Sequence, residues 1–302
     1  MCQLTSEPYY TKENEPEIKE HEPQEDDADQ HEDAADMRWQ LTDDEKEKVR
    51  ELQQAADSEG LYYKNLFELA KYVLVVQSLE QTPKRRFEVA LGRLRKRHAW
   101  IQTHNLHAVD PVAAHAEIGD SVCPQHFVQR FRCDRQDDRT VIATHMAHSP
   151  LSYIQKEETN KSKYLAAILY RMDLGAVDME QARRGLVVAT ISQGQLSLRR
   201  GFQYMRFMRT ISPDMKDMHP HTVKAVHTQF PSFVAHLLPA IKHVLPPKVA
   251  DRIHVYGSLQ EMEKSLQLFE DSNLEENCMS ASEWARQRQE RYDETVAKLS
   301  LD

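Results

Sequence analysis

The stretch Pro220–Gly257, PHTVKAVHTQFPSFVAHLLPAIKHVLPPKVADRIHVYG, limits the possible folds more than any other part of the chain. The apolar run Val223–Phe230 is strand-like. Pro231 then opens a helix in which Phe233, Val234, Leu237, Leu238, Ile241, Val244 and Leu245 recur at helical spacing. Pro246-Pro247 stops that helix, and Arg252–Tyr256 supplies a second strand. A strand–helix–strand unit of this length makes a parallel pair, whose strands start at the same edge of a sheet. Lys224 and Arg252 therefore stand at one edge, with Lys248 one turn upstream of Arg252. A small cationic corner beside a greasy helix suits an amphiphile with an anionic head.

The same alternation runs back along the chain. Strands at 140–144 and 186–191 alternate with helices at 159–174 and 198–210, and 259–268 packs as a last sheet helix. This order predicts an α/β layer fold around a mainly parallel sheet flanked by helices. Ahead of it, Thr42 with Glu45 three residues on forms a capping box that opens a charged helix. An apolar helical run covers 62–79, and Pro83 breaks it. The next helix, Lys84–Ile101, carries Phe87, Ala90, Leu91, Leu94 and Ile101 on one stripe, with Arg93, Arg95, Lys96 and Arg97 crowding the rest. Residues 105–135 read as irregular, and Ser280-x-x-Glu283 caps a terminal helix. The expected organisation is a leader at 1–36, a helical annex at 37–105, the α/β domain at 106–270 and a C-terminal helix at 271–302.

The net charge of −9 is unevenly placed. Residues 1–36 hold thirteen Asp and Glu against two Lys, leaving 37 basic and 35 acidic groups in the other 266 residues. The leader has almost no apolar content and cannot offset the entropy of ordering itself, so it reads as a disordered acidic tail. The rest is near neutral, which argues against a nucleic-acid partner. No apolar run approaches the ~20 residues that span a bilayer, and the N-terminus shows no signal-peptide pattern. Cys2, Cys123, Cys133 and Cys278 are too scattered for a disulfide framework. A reduced, cytoplasmic protein with peripheral membrane contact is the expectation.

Fifteen histidines include the pairs Cys123-x-x-His126, His104-x-x-His107, His145-x-x-His148 and His219-x-His221. None closes into a four-ligand set with zinc-like spacing. The chain has no Gly-x-Ser-x-Gly elbow, no phosphate-binding loop and no His-Glu-x-x-His. No catalytic residue, metal site or cofactor is therefore expected. A metal-dependent hydrolase is the remaining enzymatic alternative.

One resemblance sharpens this reading. Ile241-Lys242, Lys248-x-x-x-Arg252-Ile253-His254, Gly257 and Gly194, twenty-six residues before Pro220, resemble the second half of a CRAL-TRIO domain, nearest the α-tocopherol transfer and retinaldehyde-binding branch. Asp134–Ile142 (DRQDDRTVI) is similar to that family's strand entry, and the helix Phe87–Trp100 to the helices before the domain. The resemblance covers roughly residues 60–300.

It implies a non-catalytic protein that encloses a hydrophobic small molecule or lipid and transfers it between membranes. Phe233, Val234, Leu237, Leu238 and Ile241 would form a moving lid. Tyr164, Ile168, Leu169 and Met172 would line one side of the cavity. Val188 and Thr190, with Phe202, Met205, Phe207, Met208 and Ile211, would line the other. Lys224, Lys248 and Arg252 stand where that branch meets phosphoinositide head groups on a transiently docked anionic membrane. The competing reading pairs Arg252 with Asp251 and leaves Lys248 solvated. His221 near the family's inward Glu position disfavours phosphatidylinositol as cargo. Departures such as QLFEDSNLEENC after the last sheet helix keep a cargo-less regulatory or scaffolding protein as the functional alternative.

Overall fold

The computed structural model describes residues 40–77, 79, 81–128, 133–134, 139–192, 203, 206–207, 218–230, 251–266 and 279–301. All of them lie in one compact unit, 37–302. Its centre is a mixed sheet of β1 (Phe127–Val128), β2 (Cys133–Asp134), β3 (Arg139–His145), β4 (Leu186–Ile191), β5 (Val223–Gln229) and β6 (Ile253–Tyr256). The order is β1-β3-β4-β5-β6, with β2 also paired to β3. β3 through β6 are parallel, while β1 and β2 run antiparallel along the outer edge of β3. The expected α/β class and the parallel Val223–Tyr256 pair are thus present.

The alternation of side chains along β3 and β4 assigns the two sheet faces. Val141, Ala143, Val187, Ala189 and Ile191 face one way and are buried with Met262 and Leu266 of α8 (Leu259–Leu266). Ile142 faces the other way and joins the core of the helical annex. Helices therefore cover both faces, as a parallel sheet requires.

The annex consists of α1 (Asp43–Glu59), α2 (Leu66–Gln77) and α3 (Pro83–Thr103). The Thr42–Glu45 capping box forms, with the Thr42 amide donating to Glu45 Oε2 at 2.9 Å and the Glu45 amide donating to Thr42 Oγ1 at 3.3 Å. Every residue of α2 from Phe67 to Val76 is buried. That helix is packed by α1, by α3, by α7 (Met179–Arg184) and by α9 (Ala281–Lys298). The apolar run starts its helix at Leu66 rather than at 62, because Asn65 Oδ1 takes the Glu68 amide at 3.0 Å and sets the boundary there.

Residues 105–135 are not irregular throughout, which corrects the sequence expectation. Asp110 Oδ1 accepts the amides of Val112 and Ala113 at 2.9 and 3.2 Å and starts α4 (Pro111–Ala116). Pro111 is a helix starter here, because its missing N–H is one the first turn leaves unpaired anyway. A π-helical turn, Glu117–Val122, follows. The crossover from β3 to β4 contains α5 (Leu151–Ile154), α6 (Glu158–Asp173) and α7.

Candidate functional site

The sheet face opposite α8 is the first part of the site. Register places Thr144, Thr190 and Thr228 side by side on neighbouring strands, and Ile142 beside Val188 beside Val226. Val188, Thr190, Val226 and Thr228 are half-buried, unlike the fully buried residues behind them. The strip is therefore an apolar row edged by a row of hydroxyls. Such a surface accepts an apolar body and offers few polar anchors.

The helix-side residues divide. Tyr164, Ile168 and Leu169 of α6 share one cluster with Phe207. The Tyr164 and Phe207 rings stand 5.8 Å apart, and Phe207 also packs on Met146 and Leu151 beyond the end of β3. The Tyr164 hydroxyl and His126 Nε2 are 3.1 Å apart, and His126 Nδ1 stands 3.0 Å from the His145 carbonyl. Met172, one helical turn past Ile168, packs instead against the annex core. Phe202, Met205, Met208 and Ile211 lie outside the described residues, as do Phe233, Val234, Leu237, Leu238, Ile241 and Lys248.

At the strand entrances, Lys224 is the extra residue of a register shift: Leu186 faces Val223 while Val187 faces Ala225. Its stem runs over Gly185, whose φ of 78° no L side chain adopts comfortably. A Cβ at Gly185 would meet the Thr222 carbonyl, which accepts the Leu186 amide at 3.0 Å. Arg252 is exposed, and its guanidinium donates to the Val223 carbonyl at 3.3 Å. In place of the Asp251 pair of the competing reading, the guanidinium reaches across to the neighbouring strand. Arg252 thus meets the first residue of β5 from the β6 side, and Lys224 follows that residue at the bulge.

A buried ionic cluster between annex and domain was not anticipated. Arg97, read as part of a solvated basic run, is 1% exposed. Its Nε is 2.8 Å from Glu68 and its NH2 is 2.7 Å from Asp173. Lys64 reaches the same Asp173 oxygen at 3.3 Å, and Lys71 donates to the Asp173 carbonyl at 3.1 Å. Burial opposes the charge on Arg97, but Asp173 and Glu68 raise its pKa well above the usual range. Burial would raise the Asp173 carboxyl, yet Arg97, Lys64 and Lys71 hold it far below. Burial pushes Lys71 down to about 8 against the pull of Asp173.

His219 and His221, on the approach to β5, face this cluster. Burial lowers His219 to about 4 and takes His221 well below its usual value, with the nearby cations adding to both effects. The signal for Arg97 was in the sequence: it lies three residues after Leu94 and four before Ile101, on the apolar stripe itself. The His145 and His148 rings meet edge-on with centroids 4.4 Å apart. No group of three or more metal-ligating side chains gathers among the described residues, and no described helix is long and apolar enough to cross a membrane.

Comparison with known proteins bears on this arrangement. Residues 132–278 match the CRAL/TRIO domain; the match is to the domain as a whole and singles out neither the tocopherol nor the retinaldehyde branch. No curated protein matches the chain. A solved structure titled "Crystal structure of Sfh5" is similar at a TM-score of 0.49 and 12% identity, over 84% of this chain and 98% of that one. Residues 132–278, which hold the parallel strands β3 to β6, are thus similar to a CRAL/TRIO domain.

Proposed function

We propose that the chain binds a hydrophobic small molecule or lipid non-catalytically and transfers it between membranes, docking transiently on anionic head groups through Lys224, Lys248 and Arg252. The observation that carries this reading is the half-buried strip of Val188, Val226, Thr190 and Thr228 on the sheet face opposite α8. In this reading the strip is a cavity wall, Tyr164, Ile168, Leu169 and Phe207 belong to the adjoining wall, and the helix holding Phe233, Leu237 and Ile241 closes over both. Arg252 and Lys224 support the docking step, because both offer cations at the strand entrances. Each basic side chain near an anionic membrane contributes about 1 kcal/mol.

Vesicle-to-vesicle transfer of a fluorescent lipid tests the docking step. Reversing Lys248 and Arg252 to Glu slows transfer to phosphoinositide vesicles roughly tenfold or more and leaves cargo binding in solution unchanged. Equal loss of both would remove the docking role. The cargo-less alternative rests on the departure from the family pattern after the last sheet helix, QLFEDSNLEENC. A chain that takes up no lipid under any condition would establish that alternative.

A further inference from the structure

Residues of α1, of α3 and of the C-terminal half of α2 line a cleft of about 440 Å³. The volume falls within the range of small-molecule sites, roughly 300–1,000 Å³. All of its lining residues lie between Asp44 and Ala90, so it stands wholly outside the stretch matched to the CRAL/TRIO domain. Its floor is apolar: Leu52 of α1, Val73 and Val76 of α2, and Phe87 of α3.

The rim carries opposite charges on opposite walls. On α1, Asp44 is paired with Lys48, whereas Glu47 and Glu51 are exposed and hold no ion pair among the described residues. On α3, Lys84 is exposed and likewise unpaired among them, and Arg86 spends only its Nε, on the Leu79 carbonyl at 3.2 Å. One wall is thus anionic and the other cationic over a greasy floor. A purely anionic or purely cationic amphiphile satisfies one wall and is repelled by the other.

We propose that this cleft binds a single-chain zwitterionic amphiphile of the alkyl-phosphocholine type. The quaternary ammonium faces Glu47 and Glu51, with the Phe87 ring lining the same space. The phosphate faces Lys84 and Arg86, and the chain lies over Val73 and Val76. The site is separate from the sheet cavity and does not depend on the transfer reading.

Titration calorimetry on the full chain tests this with dodecylphosphocholine, dodecyl sulfate and dodecyltrimethylammonium, each below its micelle-forming concentration. The expected result is saturable binding of the phosphocholine, about tenfold tighter than either singly charged probe. Glu47→Gln with Glu51→Gln, and separately Lys84→Gln with Arg86→Gln, each weaken it about tenfold. These are rim positions, and an unchanged melting temperature verifies that the variants fold. Equal affinity for the three probes, or binding that survives both double substitutions, would overturn the proposal. So would phosphatidylcholine vesicles binding as tightly as the monomer through the same four residues, since the occupant would then be a bilayer head group.

Discussion

At Arg97 a permanent cation occupies a position with 1% exposure, held by two carboxylates that are themselves buried. Removing one partner of such a cluster leaves charge stranded in low dielectric, which costs about 3–5 kcal/mol. Arg97→Met is therefore expected to lower the unfolding free energy by that order, whereas Arg95→Met, two residues away in an exposed pair with Glu59, leaves the urea midpoint nearly unchanged. Gly185 is a second sensitive point. Gly185→Ala combines a φ of 78° with a collision against Thr222 and is expected to destabilise by roughly 1–3 kcal/mol. Equilibrium unfolding of the three variants checks both statements. Residue-level features of this kind were only partly legible. The helical spacing placed Leu94 and Ile101 correctly, but charge alone put Arg97 on the outside. Its partner Asp173 lies 76 residues away, so no local pattern reveals the pair.

Elements were more legible than their contacts, because caps and periodicity are local. Thr42 and Ser280 start helices where their capping chemistry requires, and the strand read at 186–191 is found there. α4 was missed because the whole of 105–135 read as irregular, although the Asp110-Pro111 pair is itself a helix start. The docking of α9 was not legible at all. Its N-terminus rests on the π-helical turn: Asp120 Oδ1 accepts the Ala281 amide at 2.7 Å, and Gly119 lies so close that a Cβ there would strike Ala281 and come within 2.9 Å of Phe127. π-turns commonly serve such local fittings. Gly119→Ala is expected to loosen α9 selectively, raising hydrogen exchange over 281–298 well before that of α2. Uniform acceleration across the chain would contradict this separation.

For the whole molecule, buried neutral histidines set the acid limit of stability. Burial lowers His126 to about 4, with Arg171, His145 and His148 adding to the effect and the His145 carbonyl opposing it. Burial, with Arg171 adding to it, lowers His115 to about 3. In the unfolded chain both regain a pKa near 6.5, so between about pH 6.5 and 4 the unfolded state binds more protons and stability falls as pH falls. The loss at pH 5 relative to pH 7.5 is expected to reach about 2 kcal/mol per histidine. Urea titrations at the two pH values, repeated with His126→Gln, check the sign and the share of His126. The parallel sheet and its covering helices were legible in the alternation of patterns, as was the pairing of β5 with β6. The strip of half-buried Val188 and Thr190 was named only through the family resemblance, because strand periodicity assigns a face but not what covers it.

The central claim is that the half-buried sheet face encloses a removable hydrophobic molecule. Native mass spectrometry of freshly purified full-length protein, followed by solvent extraction, tests it most directly. The account predicts one lipid or similar amphiphile per chain, displaced when Val188 or Thr190 is replaced by Trp. A chain that emerges empty and takes up nothing from vesicles would contradict it.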